Sequence, residues 1–296
     1  MRNRVIGSFV VLVLVCAAAF SWVEMGKTQI VIQPATPNQN QNQNRPTVRK
    51  APPPGPPHDP KDLTGVWAPT GNFGGPGAET LANPPVRTMW MNGPLPLTPA
   101  GFAAINANKG GKGPRSVAPS KANDPIGDAN PPGLVRTLVY GRPIQFIMLP
   151  DMVVNLFEWY HYWRQIHTDG RKLPAGDDID ALWYGTSVGH WDGDHLVVDT
   201  VGLETRNWLD MWGAPESDAM HVTENWHRMD QDNLEFNITF NDPKFYTKPW
   251  SGDPRVWRLQ GKGSREAELQ ETIFAPWDEQ DFNKRIRDPN PVLPQK

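Results

Sequence analysis

Residues 234–241 read Leu-Glu-Phe-Asn-Ile-Thr-Phe-Asn, with Leu234, Phe236, Ile238 and Phe240 alternating against Glu235, Asn237, Thr239 and Asn241. A strand sends successive side chains to opposite faces, so this run is a strand with one dry and one wet face. The sequence on both sides continues in the same style. Upstream, His221–Met229 stops at Asp230-Gln231-Asp232-Asn233, and Leu182–Trp191 meets His195–Val201 across Asp192-Gly193-Asp194. Asp-Gly between two apolar runs is a strong hairpin signal, because glycine accepts a positive φ that other residues resist. Further back, Val153–His167 ends at Thr168-Asp169-Gly170 and Ile144–Leu149 at Pro150-Asp151. Downstream, Val256–Gln260 and Glu268–Phe274 are the last strand candidates, and Asp62–Trp67 is the first. No helices alternate with these strands, which argues against a parallel sheet. Eight or nine antiparallel strands in about 210 residues fit a closed barrel or a curled sandwich.

Residues 68–135 are irregular and rich in Gly and Pro. They contain one helix signal: Thr98 as cap, Pro99 in the first turn, Phe102 and Ile105 as a small apolar face, and Gly110-Gly111 as the stop. The region further upstream changes character. Arg2 and Arg4 precede Val5–Val23, 19 residues without a charge. That length nearly spans a bilayer as a helix, and it also suits a signal peptide with Ala17-Ala18-Ala19 as the small-residue cleavage site. Basic residues stay cytoplasmic, so either reading puts the rest of the chain on the far side of the membrane. Residues 25–61 form an Asn/Gln- and Pro-rich linker, with Asn38–Asn44 followed by Pro52–Pro57. Such a segment is expected to be a solvated, extended spacer.

Composition narrows the function classes. With 29 Lys+Arg against 32 Asp+Glu and a pI near 6.2, the 296-residue chain is not a basic nucleic-acid binder. Its one cysteine, Cys16, lies in the apolar run, so the body can have no disulfide, no thiol chemistry and no cysteine-ligated metal. The chain has 32 prolines and 13 tryptophans, which makes it rich in loops and in rigid aromatic surface.

The opening Gly65-Val66-Trp67 ahead of a meander resembles the Gly-x-Trp start of lipocalin-like barrels. A longer set of marks is similar to a widespread group of exported bacterial proteins of unassigned function: Asp62-Leu63-Thr64-Gly65-Val66-Trp67, Pro96-Leu97-Thr98-Pro99, Asp169-Gly170-Arg171, Trp191-Asp192-Gly193-Asp194 with Val197-Val198-Asp199-Thr200, and Asp242-Pro243 with Pro249-Trp250. Members often carry a cysteine near the segment equivalent to Asn130–Arg136, where this chain has none. The resemblance implies export and a β-rich fold, and no particular reaction. The expectation is an all-β domain over residues 62–296. In it an antiparallel meander closes into a lipocalin-like barrel, behind a long irregular N-terminal region with one short helix.

Several constellations are candidates for chemistry. If Val153–His167 is one continuous strand, Glu158, Tyr160, Tyr162 and Arg164 share a face, with Glu158 and Arg164 about 20 Å apart at ~3.3 Å per residue. Buried on that face, Arg164 is the natural counter-ion for Glu158 or Asp199. Asp199 interrupts Val197-Val198 and, with Val197 and Val201, reads as facing inward. Of the body's histidines, no two in the pairs His161/His167 or His221/His227 sit close enough along one strand to share an ion. A metal would need convergence across strands, for example His161 with His221 and a carboxylate. Asp192-Gly193-Asp194 is accounted for as a turn, and no metal or other cofactor is expected. No nucleophile elbow, phosphate loop or dinucleotide fingerprint occurs. Trp208 and Trp212 read as an exposed contact loop at a barrel mouth. The leading expectation is a membrane-tethered periplasmic accessory or binding protein. It would be held to the inner membrane through residues 5–23, docking on a membrane protein complex or holding a small apolar ligand, and binding no nucleic acid. If residues 5–23 are cleaved, the body is periplasmic and free. The competing expectation is an exported hydrolase or lyase using Glu158, His161 and Asp199.

Overall fold

The structure is a computed structural model that describes residues 58–70, 87–128, 130–261 and 267–271. Of the two units into which the chain divides, Met1–Ala51 and Pro52–Lys296, all of these belong to the second. The apolar run and nearly all of the linker lie outside the described residues. Among the described residues no helix is long and apolar enough to cross a membrane.

Ten strands form the sheet: β1 (Gly65–Pro69), β2 (Ile144–Leu149), β3 (Met152–Phe157), β4 (Trp163–His167), β5 (Thr186–Asp192), β6 (His195–Val201), β7 (His221–Arg228), β8 (Asn233–Asn241), β9 (Trp250–Ser251) and β10 (Arg255–Leu259). Strands β1 to β8 follow one another in chain order, and β10 pairs with both β8 and β1, so nine strands close into a barrel. The short β9 continues the β10 edge along the far half of β8. The all-β barrel is therefore what the alternation of residues 234–241 predicts: Leu234, Phe236, Ile238 and Phe240 are buried and their neighbours are not.

Side chains fill the interior. Trp67, Phe146, Trp226, Phe236 and Trp257 are fully buried. Trp226 stacks on Phe236 at 4.0 Å and takes Phe146 edge-on at 5.1 Å. Such offset and edge contacts suit the ring quadrupoles.

The structure departs from the sequence reading at several points. The stretch Val153–His167 is a hairpin: β3 turns at residues 158–162 and β4 returns along it, with Leu156 opposite Trp163. Tyr160 and His161 turn the chain at φ 61° and 55°. Non-glycine residues seldom adopt those values, and no Gly, Pro, Asn or Asp marks the spot. The meander also has one parallel pairing, β4 with β5, because residues 168–185 cross from one end of the barrel to the other. Residues 267–271 form no strand, and the rest of the Glu268–Phe274 candidate lies outside the described residues. Helix α1 (Pro99–Ala107) starts where expected, with Thr98 Oγ1 accepting from the Gly101 amide at 3.0 Å. A second helix, α2 (Leu134–Val139), was not expected. All six of its residues are buried, so it shows no amphipathic stripe to read.

The irregular segment around residues 87–95 is tied down by two carboxylates: Asp253 accepts from the Asn92 amide at 3.0 Å, and Asp210 makes the larger set of contacts. Asp210, fully buried, accepts from Thr88 Oγ1 (2.5 Å) and from the amides of Met89 (2.6 Å), Trp212 (2.8 Å) and Ala214 (3.2 Å). Asp210→Ala leaves these donors unsatisfied and is expected to cost about 2–3 kcal/mol. Urea denaturation checks this, and an unchanged midpoint would mean that Asp210 does not hold the segment.

Candidate functional site

One end of the barrel carries the starts of β2, β5, β7 and β10 and the finishes of β3, β6 and β8. Helix α2 sits against this end. Its Thr137 hydroxyl lies 3.0 Å from the Tyr184 hydroxyl ahead of β5, and Arg255 at the start of β10 donates to the Val139 carbonyl. Gly133 precedes α2 at φ 75°, and a Cβ there would lie 2.5 Å from Asn207 Nδ2. Only glycine fits that close approach.

Asn207 belongs to the loop after β6. The chain there runs antiparallel to residues 214–216: Trp208 bridges Pro215, and the Leu209 amide donates to the Ala214 carbonyl at 2.8 Å. Asn207 and Glu216 flank this isolated bridge in sequence, one on each side of it. Both are buried, at 2% and 6% exposure. Neither the amide oxygen nor the amide nitrogen of Asn207 has a hydrogen-bond partner among the described residues.

Glu216 is buried among other charged groups. Burial pushes its carboxyl up to about 8; Asp242 adds to the shift, Arg136 opposes it, and no hydrogen bond contributes. It is therefore mostly a neutral acid at pH 7, able both to donate and to accept. Asp242 beside it is engaged by the Ser217 amide (2.9 Å) and hydroxyl (2.7 Å). The contrast sets a neutral acid next to a carboxylate that accepts from its loop. Arg136 from α2 completes the surroundings. It forks onto both oxygens of Asp124 (2.7 and 2.5 Å), bonds the Tyr140 hydroxyl and lies 5.8 Å over the Trp208 ring. Burial alone would lower its pKa, but Tyr140 and Asp124 outweigh that and keep it firmly charged. With four of its N–H groups held by Asp124 and Tyr140, Arg136 is fixed in place beside Trp208.

The residues singled out from the sequence fall elsewhere. Glu158 and His161 are brought together, on backbone: Glu158 accepts from the Gln270 amide at 3.2 Å, and His161 Nε2 lies 3.0 Å from the Gln270 carbonyl. Asp199 faces outward, not inward, because Leu196, Val198 and Thr200 are the buried residues of β6. There it meets His221 Nε2 at 2.8 Å and accepts from Thr223 Oγ1 at 2.8 Å. Asp199 is thus separated from Glu158 and His161 in its hydrogen bonding. Arg164 is buried and paired as expected of a buried cation, but its partner is Glu224, with contacts of 2.7 and 2.6 Å. Tyr160 and Tyr162 belong to an aromatic row with Trp159 and Tyr184. Trp208 is buried, and Trp212 closes over Gly113, so this loop presents no exposed aromatic pair. The Asn207–Glu216 pair escaped the sequence reading. Its only trace is Trp208-Leu209-Asp210-Met211-Trp212, which marks the loop but not its polar neighbours. No protein-family model, no curated protein and no solved structure matches the chain.

Proposed function

We propose that this chain is an exported, membrane-tethered binding protein whose barrel holds a small, uncharged polar ligand at the α2 end. The observation that carries this reading is the buried Asn207 amide with no partner among the described residues, beside the Trp208–Pro215 bridge that the buried Glu216 also flanks. Folded proteins pair nearly all buried polar atoms, so an orphaned amide marks a place that something else completes. An amide and a neutral acid each offer donor and acceptor. Their complement is a group with the same mixture, such as an amide or a pair of hydroxyls. Asp242, Asp124 and Glu204 make the neighbourhood unfavourable for an anion. The barrel axis is occupied by aromatics and by the Arg164–Glu224 pair, which favours a polar ligand at the end over an apolar one inside. Export and tethering rest on the uncharged run 5–23 behind Arg2 and Arg4, followed by the proline-rich linker. Docking on an inner-membrane complex fits the same arrangement.

A thermal-shift titration of the full chain with acetamide, N-acetylglucosamine, acetate and glucosamine tests the ligand class. The two neutral amides are expected to raise the melting temperature, by about 5–10 °C near 100 times Kd, from RT ln(1 + [L]/Kd) of about 2.7 kcal/mol. Asn207→Leu should abolish the shift. No stabilisation by either amide, or equal stabilisation by acetate, sinks the proposal. A second reading, a hydrolase or lyase, draws on the same neutral acid beside an engaged carboxylate, an arrangement that suits a general acid. Turnover lost in Glu216→Gln while binding persists would support it.

A further inference from the structure

We propose that Asp194, His195 and His227 form a divalent-metal site suited to zinc, at the end of the barrel opposite α2. The sheet register builds it. His195 on β6 and His227 on β7 are directly opposed, and their rings stack at 4.3 Å with 19° between planes. Asp192 pairs with His195, so Gly193 and Asp194 form a two-residue turn, with Gly193 at φ 62°. That turn swings the Asp194 carboxylate over both imidazoles.

The distances fit a shared ion better than hydrogen bonds. His195 Nε2 lies 3.6 Å from Asp194 Oδ1, and His227 Nε2 lies 3.4 Å from Asp194 Oδ2. All the ligand atoms lie within 4.8 Å of one another. Zinc bonds to nitrogen and oxygen of about 2.0–2.2 Å give a tetrahedron with edges of about 3.3–3.5 Å. Two contacts near that edge length, one to each oxygen of Asp194 and each too long for a good hydrogen bond, bracket a point that a cation can occupy.

The second ring nitrogens orient the first. His195 Nδ1 lies 2.7 Å from Asn225 Oδ1, an acceptor, so Nδ1 is the donor there and Nε2 is the nitrogen turned toward Asp194. His227 Nδ1 has Glu235 Oε2 at 3.8 Å across β7 and β8, a neighbouring negative charge beyond hydrogen-bond reach. Outer partners of the Asn225 kind are what hold metal-ligating histidines. Two neutral imidazoles and one carboxylate suit zinc and leave a fourth position open to water, since the three side chains are between a quarter and half exposed.

The test uses the full chain without an affinity tag and zinc sulfate alone, by calorimetry, with cobalt(II) absorption as a second readout. One equivalent of zinc is expected, with an intense tetrahedral cobalt spectrum. His227→Gln and His195→Gln should each weaken zinc at least 100-fold, Asn225→Ala about 10-fold, and His190→Gln not at all. Absence of stoichiometric binding, or zinc binding undiminished in both histidine variants, overturns the site. Should a variant fail to fold, X-ray absorption on the zinc-loaded wild type decides. Two nitrogen ligands are expected there, and an oxygen-only shell rejects the proposal. This outcome is independent of the α2-end ligand, because neither set of residues touches the other's test.

Discussion

Arg164→Ala is expected to destabilise the barrel by about 3–5 kcal/mol, the usual cost of removing one member of a buried ion pair. For a domain of this size that is a fall of about 6–20 °C in melting temperature. Arg164 is 4% exposed on the inner face of β4, and Glu224 on β7 is fully buried. The guanidinium forks onto both carboxylate oxygens at 2.7 and 2.6 Å, while its Nε donates to Asn155 Oδ1 at 3.1 Å. Trp226 Nε1 donates to Glu224 at 3.0 Å. Alanine at 164 leaves the Glu224 carboxyl buried without its cation and with the Trp226 indole as its remaining donor among the described residues. The variant Arg164→Met/Glu224→Leu removes both charges at similar volume and should recover most of the loss, since such replacements are often neutral. Arg171→Ala, which breaks an exposed pair with Asp169, should leave the melting temperature unchanged. Wild-type stability in Arg164→Ala would mean that water reaches this pair and that the interior is wetter than its packing indicates.

The same residues show how far the sequence could be read. The alternation of residues 234–241 and the Asp-Gly turn carry the barrel, because burial on one face of an antiparallel sheet leaves a period-two imprint. Arg164 was recognisable as a buried cation needing a carboxylate. Its partner was not, because β4 and β7 meet only across the interior of a closed barrel, which no periodicity encodes. Glu158 was misassigned because the turn at Tyr160-His161 is made by residues without turn chemistry. Asp199 was misplaced for a different reason. On β6 both alternating sets are apolar in part, Val197 and Val201 on one face and Leu196 and Val198 on the other. A strand whose outer face is half covered gives no contrast to decide its orientation. The histidines follow the same logic as Arg164: spacing along a strand excludes a metal within one strand, but the convergence of His195 with His227 exists only in the cross-strand register. Asn207 and Glu216 were invisible because their environment is made by α2, a helix buried on all sides.

The pH dependence of stability should carry a large contribution from Glu216. Its folded-state value stands at about 8, against an ordinary glutamate value of 4.5. Between those two values the folded protein keeps a proton that the unfolded chain has lost. Stability is therefore greatest, as far as this group is concerned, below about pH 4.5, falls as pH rises towards 8, and levels off above it. At about 1.36 kcal/mol per unit, the full excursion is on the order of 3–5 kcal/mol. Other carboxylates act in the opposite direction: Glu204, held below the usual glutamate range by hydrogen bonds from Arg206, favours the fold as pH rises. The informative quantity is thus the difference between wild type and Glu216→Gln, measured by chemical denaturation from pH 5 to pH 9. Glutamine is shaped like the neutral acid and does not ionise. The two proteins should be close in stability at pH 5, and the variant should be the more stable by several kcal/mol at pH 9. Parallel profiles would show that Glu216 ionises at an ordinary value and has water or a cation beside it. The neutral acid that flanks the same bridge as Asn207, on which the ligand reading depends, would then be lost. A divergence that widens when a neutral amide is bound would tie the two observations together, since a ligand hydrogen-bonded to the protonated carboxyl binds more weakly once that proton leaves, whereas the glutamine variant keeps it.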